Sequence, residues 1–112
     1  PYINELLIFC HEISYNNYLL TIEVEMRNCS ETIKNICIDN FLLLGDRKIS
    51  VSQRSPGIWN GHWFELRETN LMPGESVKIR LYFHLKPTEN KLNYKVMYIN
   101  NHEAEKIHSF SN

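Results

Sequence analysis

From Val77 to Leu85 apolar residues take every second position (Val77, Ile79, Leu81, Phe83, Leu85), and Lys78, Arg80, Tyr82 and His84 fill the gaps. That period predicts a long strand with one dry face and one wet face. Pro73-Gly74 just ahead of it is a turn signal, since Pro presets φ at the second turn position and Gly accepts a positive φ at the third. The same alternation runs through Leu20, Ile22, Val24 and Met26, with Thr21, Glu23, Glu25 and Arg27 between them. It returns at Leu92, Tyr94, Val96 and Tyr98.

Between these anchors the pattern is less regular. Tyr2 to Ser14 reads as one first strand whose apolar centre, Leu6 to Cys10, implies burial on both faces or a bulge. Tyr15-Asn16-Asn17-Tyr18 then reads as a tight turn, because Asn tolerates the left-handed region that short hairpins need. After turn formers at Asn28 to Glu31, a third strand is expected from Thr32 to Ile38, continuing through Phe41 to Leu44. Gly45-Asp46 turns the chain into a short polar edge strand, Lys48 to Ser52. Gln53 to Gly61 reads as a loop carrying Trp59, and His62 to Glu68 as a further strand. Beyond Asn100 the chain is polar, with a short strand, a helix through Ala104 to Phe110, or a frayed tail as the alternatives.

About seven strands separated by turns, with no convincing window of helical period, predict an all-β fold. An immunoglobulin-like antiparallel β-sandwich is the expected topology, with a small barrel as the alternative. The 112 residues suit one domain spanning 1–112. With no initiator Met or signal peptide at Pro1, the chain is expected to be a domain excised from a larger protein, or a mature product. Twelve basic against 13 acidic residues leave a formal charge of -1, which gives no support to nucleic acid as a partner. No run approaches the roughly 18 apolar residues of a membrane helix, so no membrane insertion is expected within this segment.

Catalytic motifs are missing: there is no G-x-S-x-G elbow, no phosphate-binding glycine loop and no H-E-x-x-H. Cys10 and His11 are neighbours, but neighbours on a strand point to opposite faces and do not pair as nucleophile and base by adjacency. Cys10, Cys29 and Cys37 are expected to be half-buried thiols, with a Cys29–Cys37 bridge as the alternative. The five histidines have no ligand spacing, so neither a metal nor a cofactor is expected. Trp59, in its Gly-containing loop, offers either a flat platform for a sugar ring or a partner's side chain, or a plug for the end of the sandwich. Trp63, inside a strand pattern, favours the plug. Lys78, Arg80 and Tyr82 share the wet face of their strand, with Lys95 nearby if the last strand pairs beside it. Such a stripe reads as a polyanion site or as an ordinary solvated face.

Several of these residues resemble a pattern in immunoglobulin-like accessory domains of Gram-positive bacterial secreted and surface proteins. They are Leu20 to Met26 ending in Arg27-Asn28 with Ser30, then Ile33, Ile36 and Ile38, then Phe41 to Leu44 before Asp46. Leu71-x-Pro73-Gly74-Glu75-Ser76 leading to Phe83, and a closing Tyr94-x-Val96-x-Tyr98, complete it. Through Arg27-Asn28, Leu42 to Leu44, Phe64-x-Leu66 and Leu71-x-Pro73 the chain also looks similar to domains of S-layer assembly proteins, but it lacks a Pro-Trp pair in the late strand. The resemblance implies a non-catalytic module outside the cytoplasmic membrane and carries over no site residue. The expected function is therefore a binding or structural module of an extracellular or cell-envelope protein, engaging a protein partner or other domains of its parent. A carbohydrate-binding module, taking cell-surface polysaccharide on the loop aromatics, is the alternative.

Overall fold

In the computed structural model the described residues are 1–52, 55–59, 62–65, 67–100 and 103–110, with the side chains of Trp59, Trp63 and Phe64 outside the description. Every strand pairing among them is antiparallel, and no α-helix interrupts the strands. Six strands form one sheet, ordered β1 (Tyr2–Ile3), β2 (Leu6–Asn16), β3 (Leu19–Asn28), β10 (Ser76–His84), β7 (Pro56–Trp59), β8 (His62–Glu65). A second sheet is ordered β12 (Glu103–Ser109), β11 (Lys95–Asn100), β5 (Phe41–Leu44), β6 (Lys48–Ser50). A separate two-stranded ladder joins β4 (Lys34–Cys37) to β9 (Glu68–Leu71).

The two clearest sequence alternations lie side by side. β3 and β10 pair from Arg27 opposite Ser76 to Leu19 opposite His84. Leu20, Ile22, Val24, Met26, Val77, Ile79, Leu81 and Phe83 are all buried. They share one core cluster with Phe41, Leu43, Ile49, Val96 and Tyr98 from the second sheet. The core therefore lies between the two sheets, and each fully buried aliphatic side chain stabilises it by about 1.5–3 kcal/mol. The outward residues of β3 and β10 stay at the surface because their polar ends remain in water.

β2 holds its register through a bulge at His11: Cys10 stands opposite Val24, whereas Glu12 stands opposite Glu23. The apolar phase of β2 itself changes there, from Leu6, Ile8 and Cys10 to Ile13 and Tyr15. The bulge keeps Tyr15 packed against the core as Cys10 is, while Ile13 stays exposed; the same sequence paired without a bulge would turn Tyr15 outward. The turn Asn17-Tyr18 adopts positive φ at both residues (53° and 64°), as the Asn-rich sequence predicts for a two-residue hairpin.

A buried polar knot fixes the start of β10. Asn28, fully buried, donates from Nδ2 to the carbonyls of Thr32 (2.8 Å) and Leu71 (2.9 Å). Its Oδ1 accepts from the Ser30 amide (2.9 Å) and lies 2.7 Å from the Ser30 hydroxyl. The Gly74 amide donates to the Asn28 carbonyl (2.8 Å), and Gly74 takes the positive φ (82°) that the Pro-Gly turn requires.

Several sequence expectations need correction. There are twelve strands among the described residues rather than about seven. Tyr2 to Ser14 is two strands, because Asn4 and Glu5 at φ 50° and 63° fold β1 back on β2. Thr32 to Leu44 is not one strand. A 3-10 turn at Ile38–Asn40 separates β4 from β5, which lie in different sheets. Gln53 to Gly61 is not wholly a loop, since Pro56–Trp59 forms β7 and pairs with both β10 and β8. Pro is tolerated as the first residue of a strand. The polar end of the chain settles as a strand, β12, paired with β11.

Candidate functional site

The stripe Lys78, Arg80, Tyr82 lies on the outer face of β10, as its alternation predicts, but it does not stand alone. Register places Lys78 opposite Glu25, Arg80 opposite Glu23 and Tyr82 opposite Thr21. Arg80 approaches Glu23 to 4.0 Å. Glu25 accepts a 2.8 Å hydrogen bond from His11 Nε2, and that bond chiefly holds its carboxyl below the ordinary range. The basic stripe thus faces an acidic one on the next strand, which removes the field a polyanion would need. Lys95 does not join it. It sits in the second sheet, opposite Leu44 and Ser109.

An open depression of about 380 Å³ runs across this face. β3 contributes Thr21 and Glu23 to its lining, β2 contributes Glu12 and Ser14, and β10 contributes Arg80 and Tyr82. Leu19 and Ile13 add apolar surface. Two cross-strand rows make up the site: Glu12, Glu23, Arg80 and then Ser14, Thr21, Tyr82. The Tyr82 backbone is held on its far side, where its amide donates to Ser55 Oγ (3.1 Å) and its carbonyl accepts from the Ser52 amide (2.7 Å). Further along the same face Tyr2 and Phe9 are exposed.

Sequence reasoning found Arg80 and Tyr82 but missed Glu12, Ser14 and Glu23. Their alignment depends on the bulge, whose only trace in the sequence is the phase change of β2. The side chains of Trp59 and Trp63 lie outside the described residues. Their backbones belong to the β7–β8 hairpin, where Trp59 pairs with His62 and Trp63 with Ile58. The chain matches no family model, no curated protein and no solved structure.

Two further polar clusters among the described residues serve the architecture. Arg47 grips Glu89 with two 2.8 Å bonds, from Nε and Nη2, and the Lys86 amide (2.7 Å) and the Tyr94 hydroxyl also donate to that carboxylate. The bonds from Arg47, followed by those from Tyr94 and Lys86, hold the Glu89 carboxyl at about 2, well below its ordinary 4.5. With four donors on its two oxygens Glu89 has little capacity left to accept a proton, so it is a clamp and a poor general base. Asp39 is gripped likewise by Arg67 Nη2 at 2.6 and 2.8 Å. The cysteines are free thiols, with Cys10 and Cys37 half-buried and Cys29 exposed. Burial raises the Cys10 thiol above its ordinary value, the opposite of what a nucleophile needs. Among the described residues no group of three or more His, Cys, Asp or Glu is placed to hold a metal ion, and no helix is long and apolar enough to cross a membrane.

Proposed function

We propose that this chain is a non-catalytic binding module of a larger secreted or cell-envelope protein, built on an immunoglobulin-like sandwich. In this reading it engages a protein partner, or a neighbouring domain of its parent, through the outer face of the six-stranded sheet. The topology is supported by strand order. With β2, β3, β5, β6, β7, β10, β11 and β12 taken as A, B, C, C′, D, E, F and G, the sheets run A-B-E-D and G-F-C-C′. Tyr94, just before the F strand, sends its hydroxyl back to the Glu89 carboxylate five residues upstream, at the place of a tyrosine corner but with a side-chain acceptor where that corner has a backbone one. The β4–β9 ladder and the added β1 and β8 depart from that pattern. The weak resemblance to Gram-positive surface modules agrees with this topology and is the ground for placing the module outside the cytoplasmic membrane.

The observation that carries the binding reading is the outer face itself. It combines a depression, Arg80 and Tyr82 of the types enriched in interface anchors, and exposed Tyr2 and Phe9. Four strands at the sheet edges are poor alternatives. β6 has three residues, β1 has two, β2 bulges at His11, and β12 bulges between Lys106 and His108 and exposes Glu103, Glu105 and Lys106. Such features block strand addition.

A photo-crosslinking amino acid placed at Tyr82 or at Ser50 in the parent protein, in intact producing cells, tests this. Adducts from position 82 and none from position 50, with Cys29 labelled by a membrane-impermeant maleimide, are expected. Adducts only from position 50 would remove the face, and an unlabelled Cys29 would remove the extracytoplasmic setting.

A further inference from the structure

We propose that the depression on β2, β3 and β10 is a binding site for a neutral sugar residue of a glycan carried by the protein partner. The proposal rests on the reading of this face as the binding surface and gives it a ligand chemistry. The site mixes three kinds of polar group. Glu12 and Glu23 only accept hydrogen bonds, Arg80 only donates, and Ser14, Thr21 and Tyr82 do both. A ligand rich in hydroxyls, each both donor and acceptor, satisfies all three kinds. An anion would meet two carboxylates, and a cation would meet Arg80. Neighbours within a row stand about 5 Å apart across strands, and the two rows stand about 7 Å apart along them. Opposite hydroxyls of a six-membered sugar ring span that first distance. Leu19, Ile13 and the Tyr82 ring supply the apolar surface on which a sugar's C–H face rests.

A second feature points the same way. Glu12 and Glu23 stand directly opposite each other on adjacent strands, a like-charge arrangement in which the single cation of the row, Arg80, lies 4.0 Å from Glu23 and leaves one carboxylate in excess. The bulge creates it, since an unbulged β2 would set His11 opposite Glu23. A local rule broken beside a depression marks a place where folding has yielded to binding. Sugar hydroxyls donating to both carboxylates would relieve the repulsion.

The test is amide NMR of the full 112-residue chain, titrated with methyl glycosides of glucose, galactose, mannose and N-acetylglucosamine. Lysine methyl ester and inorganic phosphate serve as charged comparators. At least one glycoside should bind in the millimolar range, with shifts confined to the amides around Ser14, Thr21, Glu23 and Tyr82. Tyr82→Ala should weaken that binding by about tenfold. Glu12→Gln should weaken binding while leaving the midpoint of urea unfolding unchanged or higher. A residue that serves only the fold would instead lower the midpoint. Absence of shifts with every glycoside overturns the sugar assignment, and so does a response to lysine methyl ester or phosphate alone. If crosslinking from position 82 still occurs in either case, the face remains the binding surface and only its ligand chemistry has failed.

Discussion

Asn28 shows how much one side chain does for this fold. Its amide bridges Leu71 and Thr32, and its carbonyl oxygen orders Ser30, so one residue fixes both the exit of β3 and the turn into β10. Asn28→Ala should leave these buried partners without their bonds and cost roughly 3 kcal/mol. Asn28→Asp should be worse at neutral pH, because it removes both donors and sets a carboxylate against two carbonyl oxygens. Urea unfolding, read as a lowered midpoint at constant slope, measures both. Equal stability of either variant with the parent chain would show that the knot is dispensable. The sequence marks Asn28 only as a turn former and as part of the Arg27-Asn28, Ser30 resemblance. Its pairing with Leu71, 43 residues away, is a tertiary fact that no local pattern announces.

Among the elements, legibility follows amphipathic contrast. β3 and β10 are plain in the sequence because each buries one face and wets the other over nine or more residues. β12 is ambiguous because Ile107 is its only buried residue, so it carries almost no period. β7 is hidden because Pro56 and Gly57 read as loop, although each sits where a strand tolerates it. Pro56 opens β7, and Gly57 lies buried between Ile79 and Phe64 in the register. The bulge in β2 is half legible, since the phase change shows that something must give without showing where. Its role can be separated from that of the side chain it carries. His11→Ala removes one exposed bond to Glu25 and should change stability by no more than about 1 kcal/mol. Deleting His11 removes the extra residue: Glu12 then follows Cys10 directly and still stands opposite Glu23, with Ile13 and Tyr15 still in phase, so the loss should again be no more than about 1 kcal/mol. Thermal unfolding of the two variants side by side decides the point: a much larger loss from the deletion would mean that the bulge itself is needed for the fold.

Across the whole molecule the two sheets share a core, and the Arg47–Glu89–Tyr94 clamp ties their connections together. Arg47 lies between β5 and β6 in the second sheet, and Glu89 lies on the crossing from β10 to β11. Close packing leaves no slack here, since a Cβ at Gly45 would stand 2.0 Å from the Asn93 carbonyl oxygen. The clamp should make stability depend on acid in a defined window. Glu89 titrates near 2 in the folded chain and near its ordinary 4.5 once unfolded. Between those values the unfolded chain binds the extra proton, so stability rises with pH. The contribution of Glu89 is therefore complete above about 4.5 and is lost as the pH falls through about 2. Glu89→Gln should be less stable than the parent chain at neutral pH, and the gap should narrow steadily as the pH is lowered through that window. Urea midpoints of both chains measured from neutrality down to the acid limit supply the comparison. A gap that stays constant throughout would mean that the charge of Glu89 contributes nothing and that the clamp acts by shape alone. In that case the connections would be held by the packing of Tyr94 and Gly45 against each other, and acid would unfold the chain through other carboxylates, Glu25 with its depressed titration being the next candidate.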